Sequence, residues 1–276
     1  MRKILSLILA AVFSLTACSE AGGSQGSAVV QEPAATASSS GEAIESYTVT
    51  DVRGKEIAFD AVPERVATVG KPFPSLYYAI EGATDHIVGC NPSSIKAYNE
   101  SVLRYMYPQL ENAVTDWCNT DSTVNIEELL KLRPDVVFIY STDDQEIEKI
   151  EDAGIKVVAL RSAELDSVKE NLQIIAAVCQ KEERGKQLIQ YIEEQIVEVT
   201  SRLTDVAEED KPSVIEFYSD MNVSVSQYDH WMIPSGAKNP AEGLTGKMSE
   251  VDMEQILVWN PDIIYIGNHS DLMPSD

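Results

Sequence analysis

Residues 124–140 read VNIEELLKLRPDVVFIY, and residues 251–267 read VDMEQILVWNPDIIYIG. The two stretches are one pattern written twice. Each carries Glu at its fourth position, Glu127 and Glu254, and a Pro-Asp pair, Pro134-Asp135 and Pro261-Asp262, before a closing apolar run. Asn125 and Asp252 suit the N-cap of a short helix, and Glu128 and Gln255 three residues on complete a capping box in each copy. Ile126, Leu129 and Leu130 follow i, i+3, i+4 spacing, as do Met253, Ile256 and Leu257, which gives one apolar face. Each helix ends before its proline, because the proline ring pushes the preceding residue out of the α region. VVFIY and IIYIG are continuously apolar, so both read as strands covered on both faces, as in a parallel α/β sheet. Trp259 takes the place of Leu132 and reads as a core residue. Two unrelated amphipathic helices would not share caps, Pro-Asp and strand type. One unit repeated about half a chain apart predicts two similar lobes with something held between them.

The stretches around the first copy continue the alternation. YTVTDVRGKEIAF (47–59) alternates on either side of Arg53-Gly54 and reads as a β-hairpin. ERVATVG (64–70) is a first buried strand, Pro74 to Glu81 a helix stopped by Gly82, and HIVGC (86–90) a second strand. Residues 100–107 read as a short helix. After the first copy comes a helix over 144–152, closed by Gly154 at its C′ position, and then the strand IKVVAL (155–160). Strands alternating with helices predict a largely parallel sheet. From Leu165 to about Val206 the chain favours helix almost throughout. Glu182 to Leu203 has no Pro, and no Gly after Gly185, so it reads as one long helix joining the lobes. Glu193, Glu194 and Glu198 lie on its solvated face. Lys211-Pro212 then opens the second lobe, with SVIEFY (213–218) as its first strand. The expected fold class is α/β, with two Rossmann-like lobes joined by a long rigid helix.

The first residues read as a targeting segment. Arg2 and Lys3 precede an apolar stretch from Ile4 to Phe13, too short to remain as a membrane-spanning helix. The stretch ends in Leu15-Thr16-Ala17-Cys18, which resembles the lipobox of bacterial lipoproteins. That resemblance implies cleavage before Cys18 and a diacylglyceryl group on its sulfur, where each buried methylene contributes ~0.8 kcal/mol of anchoring. Residues 19–45 are rich in Ser, Gly and Ala and read as a flexible tether. The expected organisation is a signal peptide at 1–17, a tether at 18–45, an N-terminal lobe at 46–163, a helical linker at 164–208 and a C-terminal lobe at 209–276.

The chain has 21 Lys and Arg against 45 Asp and Glu, a formal net charge of -24. Such a surface repels nucleic acid and anionic lipid. Cys90, Cys118 and Cys179 remain besides Cys18. Cys90 and Cys118 both follow short strands, so a bridge between them and three reduced, partly buried thiols both fit an exported protein, and we favour the thiols. There is no CxxC and no Cys/His cluster, so no metal site is expected. GxGxxG after a strand, GxxxxGK[ST], GxSxG and HExxH are all absent, which leaves an enzyme reading without residues to rest on.

Taken together, the TVTDVRG hairpin, PERVATVG, GATDHIVG, the two helix-strand units, AGIKVV, the long linking helix and GAKN (236–239) resemble the iron-siderophore and vitamin B12 class of ABC-transporter substrate-binding proteins. The resemblance runs from about residue 47 to the end. It implies a lipid-anchored, extracytoplasmic binding protein without covalent chemistry or cofactor. Such a protein captures a small-molecule metal chelate, of the iron-siderophore, haem or corrinoid type, between its lobes. It delivers the chelate to a membrane permease driven by an ATPase, and we expect it to act as a monomer. It also implies permease-facing carboxylates, which fall on Glu111 in LENAVTDW. Near GAKN the pattern departs, with Lys238 at the expected place and Glu242 as its substitute. A surface sensor or adhesion lipoprotein of the same fold is the alternative, and an α/β enzyme ranks below it.

In open α/β sheets the crevice lies beyond the carboxyl ends of the strands. The loops there offer Lys71, Phe73, Asn91, Trp117, Tyr140, Arg161, Tyr218, Tyr228, His230, Trp231 and His269 as ligand contacts. Aromatic rings suit a large, partly flat chelate, and Arg161 suits a carboxylate. Tyr228 and Trp231 lead this set, because they sit in a stretch without helical or strand periodicity. After Tyr140 a helix and a strand follow, whereas after Gly267 nine residues remain. The second lobe is therefore expected to be incomplete, the chain to be C-terminally truncated, and IIYIG to form an exposed apolar edge.

Overall fold

The computed structural model describes residues 46–162, 165–226, 232–267 and 272. Its first elements are β1 (Tyr47–Thr50) and β2 (Glu56–Phe59), an antiparallel hairpin turning at Gly54 (φ 78°). Asp51 ties that hairpin to the body. Its carboxylate accepts from the Arg53 N–H, the Arg53 side chain and the distant Ala159 N–H (3.0 Å).

The first lobe then runs β3 (Val66–Thr68), α1 (Phe73–Glu81), β4 (Ile87–Cys90), α2 (Pro92–Asn99) and α3 (Leu103–Met106). It continues through α4 (Ile126–Leu132), β5 (Val136–Tyr140), α5 (Asp144–Asp152) and β6 (Val157–Leu160). The sheet order is β4-β3-β5-β6, parallel throughout. One face packs Val66, Phe138, Val158 and Leu160 against α1. The other packs Ala67, Val137, Ile139 and Ala159 against α4 and α5. Both faces being covered explains why these strands lack alternation. The short helix expected over 100–107 is present but shorter. α3 lies within it, and α2 precedes it, started by Asn91-Pro92, a capping residue followed by a proline that has no N–H to lose.

α6 (Leu165–Val178) and α7 (Glu182–Ser201) form an antiparallel pair. Gly185 lets them approach, since a Cβ there would lie 2.7 Å from the Ala176 Cβ. The helix-forming stretch is thus two helices, of which α7 is the long one. Beyond it, Leu203 packs against Gly236 of the second lobe.

The second lobe comprises β7 (Val214–Ser219), β8 (Asn222–Ser224), β9 (Met248–Glu250), α8 (Met253–Trp259) and β10 (Ile263–Ile266). Its sheet order is β10-β7-β8-β9. Only β10 and β7 are parallel, because β7 turns straight back through Asp220 (φ 41°) into β8, and β9 pairs antiparallel with β8. The expectation of a parallel sheet therefore holds in the first lobe, while the second lobe is mixed. A separate small core gathers Ile215, Phe217, Val223, Ala241 and Ile256.

The repeated unit has the same build in both lobes. Asn125 Oδ1 accepts from the Glu127 and Glu128 N–H groups, and Asp252 Oδ1 from the Gln255 N–H. The reciprocal half of the first capping box is not made, since Glu128 pairs with Lys131. Arg133 (φ 46°) and Asn260 (φ 45°) end the two helices in the left-handed region, one residue before each proline. The inward stripe differs from the expected one. Ile126, Leu129 and Leu132 face the core in one copy, Ile256 and Trp259 in the other, while Leu130 and Leu257 are exposed. β5 is covered on both faces and flanked by β6. β10 is an edge strand in this sheet, with Ile263, Ile264 and Tyr265 about half exposed (50%, 50% and 49%), which is the exposed apolar edge expected for IIYIG and not a doubly covered strand.

Candidate functional site

The carboxyl ends of β3, β4, β5 and β6 converge on the loops beginning at Gly70, Asn91, Ser141 and Arg161. Gly70 must be glycine, because a Cβ would fall 2.5 Å from Cε2 of Phe73. That ring is 1% exposed and meets Tyr140, the last residue of β5, at 4.8 Å between centroids. Phe73 therefore supports Tyr140 from below and does not face solvent. Lys71 is exposed above it, with its carbonyl held by the Ser94 hydroxyl at 3.0 Å.

Two further expected contacts serve the fold. Asn91 is buried. Its Oδ1 caps α2 by accepting from the Ser93 N–H (2.8 Å), and its Nδ2 donates to the Asn119 carbonyl (3.0 Å). Trp117 is fully buried under the sheet, its indole N–H donating to the Val114 carbonyl at 3.1 Å. Both side chains are buried and spend their hydrogen bonds within the chain. The signal for this lies in their surroundings. Asn91 directly precedes a proline, and Trp117 fills the space left by Gly89, where a Cβ would lie 2.5 Å from the indole nitrogen.

The crevice end of the first lobe thus presents Lys71, Tyr140 and Arg161. Burial and the neighbouring Asp143 push the Tyr140 hydroxyl up. Arg161 is half exposed, and its Nε donates to Glu170 at 2.7 Å, so part of its charge is already matched. Asp143, which sequence reasoning passed over, stands just past β5. One of its oxygens is buried without a partner. Burial holds its carboxyl above the usual range, against hydrogen bonds from Ser122 and Thr142. Tyr218 sits half-buried near the end of β7 in the second lobe. Tyr228, His230, Trp231 and His269, like Cys18, lie outside the described residues.

The starts of α1 and α2 are not anion sites. Pro72, Pro74 and Pro92 carry no N–H. The remaining donors are taken, Phe73 N–H by the Gly70 carbonyl, Ser75 and Leu76 by Pro72, Ser93 by Asn91 Oδ1 and Ser94 by the Asn91 carbonyl. A helix N-terminus binds an anion through free N–H groups, and at α1 and α2 they are occupied.

Glu111 lies exposed in a 3₁₀ turn at Pro108–Asn112, and Glu242 is exposed after Ala241. Cys90, Cys118 and Cys179 are free and buried, and burial pushes each thiol up to about 12. Among the described residues no group of three or more His, Cys, Asp or Glu is placed to hold a metal ion. No described helix is long and apolar enough to cross a membrane. A cavity of 550 Å³ lined by Phe59, Pro63, Glu64, Asp135 and Lys156 lies at the opposite, amino ends of the strands. It is large, but it is on the wrong side of the sheet for the crevice.

The family model for periplasmic binding proteins matches residues 73–275, a span that includes both copies of the repeated unit. The molybdate-binding protein MolA of Haemophilus influenzae is 29% identical over 216 residues, covering 70% of this chain and 61% of that protein. The iron-uptake system-binding protein of Bacillus subtilis is 25% identical over 154 residues, covering 53% and 48%. The chain therefore spans about half to three fifths of the length of these curated relatives. Among solved structures, a periplasmic solute binding protein from Veillonella parvula superimposes with a TM-score of 0.75 at 28% identity, covering 84% of this chain and 71% of that one.

Proposed function

The chain belongs to the periplasmic binding protein family, and from that premise we propose that it is the extracytoplasmic solute-binding component of an ABC importer. It captures a metal chelate of the iron-siderophore, haem or corrinoid type between its lobes and hands it to a permease powered by an ATPase. It works as a monomer held to the membrane by lipid on Cys18, with no catalytic step. The observation that carries this reading is the family match across residues 73–275, on a chain that builds the same helix-strand unit in both lobes.

The site chemistry favours a chelate over a small oxyanion. The first N–H groups of α1 and α2 are already taken, Arg161 is partly matched by Glu170, and the chain is strongly acidic. Tyr140 and Tyr218 offer aromatic surface beside Lys71 and Arg161, and Tyr228, His230, Trp231 and His269, expected from sequence, would add to it around a broad ligand. Exposed Glu111 and Glu242 would contact basic residues of the permease.

Uptake tests this reading. Cells lacking the gene should lose accumulation of iron or cobalt supplied as the cognate chelate and regain it on complementation. Alanine at both Glu111 and Glu242 should lower uptake while leaving chelate affinity unchanged. Unimpaired uptake of every chelate class in the deletion strain would favour a sensing or adhesive lipoprotein instead.

A further inference from the structure

The Pro-Asp clamps fix the correspondence between the lobes. The Asp135 N–H donates to the Arg65 carbonyl and the Asp262 N–H to the Ser213 carbonyl. Arg65 therefore corresponds to Ser213, and three residues on, Thr68 corresponds to Glu216. The ladders agree, since Thr68 pairs with Phe138 and Glu216 with Tyr265. Each lobe thus puts a polar side chain at the same register of its central strand. Thr68 is 0% and Glu216 3% exposed. Each has a buried oxygen with no hydrogen-bond partner, Thr68 Oγ1 and Glu216 Oε2.

Glu216 is the more telling of the two. Its carboxyl leans toward the carboxyl end of the sheet, where a Cβ on Gly267, just past β10, would lie 3.5 Å from Oε1. Burial pushes it up to about 7. On the same face of β7, Val214 packs with Met232 and Ala237, and Glu216 pairs with Tyr265 on β10. Lys238, the lysine nearest in chain on that covering segment, reaches the Glu209 carbonyl at the other end of β7. A buried carboxyl needs a proton, a donor or a cation. Glu216 Oε2 has no such partner among the described residues.

We propose that Glu216 is the second lobe's ligand-recognition carboxyl, and that its partner is a protonated amine carried by the captured chelate. This rests on the chelate-binding reading above and narrows it to cationic chelates over anionic ones such as tris-catecholates. On binding below about pH 7, Glu216 gives up its proton to solvent and its carboxylate accepts a hydrogen bond from the ammonium, so affinity rises as pH increases toward neutrality.

The test compares ferrioxamine B, a ferric trihydroxamate with a free amine, with the same chelate acetylated on that amine. Wild-type protein should prefer the amine form by about ten-fold, the effect of a buried charge-assisted hydrogen bond. Glu216→Gln should bind both forms equally and without the pH trend. Equal affinities in the wild type, or a preference that survives Glu216→Gln, would overturn the proposal. Tight binding of haem or a ferric tris-catecholate only would also overturn it, leaving the importer reading intact, whereas no binding of any chelate would overturn both. Ligand-free stability gives a second measurement. The folded carboxyl keeps its proton between roughly pH 4.5 and 7, where the unfolded chain has lost it, so wild-type stability relative to Glu216→Gln should fall as pH rises through that window. A flat difference would show that Glu216 is not held in the buried, uncharged state the proposal requires.

Discussion

The Asp135 carboxylate accepts a hydrogen bond from the Arg65 N–H at 2.8 Å, while the Asp135 N–H donates to the Arg65 carbonyl at 2.7 Å. The same oxygen also takes the Glu64 N–H at 2.9 Å. Asp262 repeats the arrangement with Ser213, at 2.7 Å and 2.8 Å. The Asp of each Pro-Asp pair therefore pins the start of its own strand to the start of the neighbouring one. Removing either carboxylate strands backbone donors that water reaches, so Asp135→Ala and Asp262→Ala should each cost about 1 kcal/mol. Urea unfolding of each single variant checks this, with a loss near zero in both arguing against a clamp.

Gly89 sets the position of Trp117. A Cβ at residue 89 would lie 2.5 Å from the indole nitrogen and 2.7 Å from Leu132 Cδ1. Gly89→Ala should destabilise the first lobe by about 1–3 kcal/mol through overpacking. Trp117→Phe should lose the bond to the Val114 carbonyl and some stability, but leave chelate affinity unchanged. A selective loss of affinity in that variant would return Trp117 to the binding surface.

Acid should loosen the hairpin first. Burial alone would raise the Asp51 carboxyl, but hydrogen bonds from Arg53 and the Ala159 N–H more than offset it and hold it below its usual value. The folded pKa lies below the unfolded one, so this stabilisation is present at neutral pH and is lost as pH falls below about 4. Asp51→Asn should flatten that acid limb, as read by thermal unfolding at a series of pH values. An unchanged limb would place the acid-sensitive contacts elsewhere.

The thiols should be silent. With burial raising all three to about 12, Cys90, Cys118 and Cys179 should not react with Ellman's reagent in the folded chain and should react fully in denaturant. Incomplete reaction of denatured, unreduced protein would point to a disulfide instead.

Much of the fold was legible because local signals agreed with the tertiary outcome. The caps at Asn125 and Asp252, the left-handed stop at Gly82 and the apolar runs of β5 and β6 each specify one local state that packing then keeps. The second sheet was harder, because β8 and β9 are three residues each and carry little pattern. β10 lies at the sheet edge, as expected for IIYIG, although its composition taken alone suggests a covered strand. Its apolar run reads as a buried strand whether or not a neighbour is present to cover it. At the site, sequence could place a residue at a strand end but not tell which way its side chain points. That is why Tyr140 lies at the crevice end, whereas Trp117 and Asn91, chosen on the same argument, turn inward. Glu216 escaped notice because an isolated Glu in SVIEFY looks like a residue on an exposed strand face until the covering segment near Met232 and Ala237 is seen.

Fluorescence titration of the soluble chain starting after Cys18 tests the central claim most directly. Ferric trihydroxamates, ferric tris-catecholates, haem and cyanocobalamin would be compared, with molybdate included because of the Haemophilus influenzae relative. Saturable tryptophan quenching by at least one chelate, at micromolar concentration or below, is the predicted result. Flat titrations with every chelate on demonstrably folded protein, or saturation by molybdate alone, would contradict it.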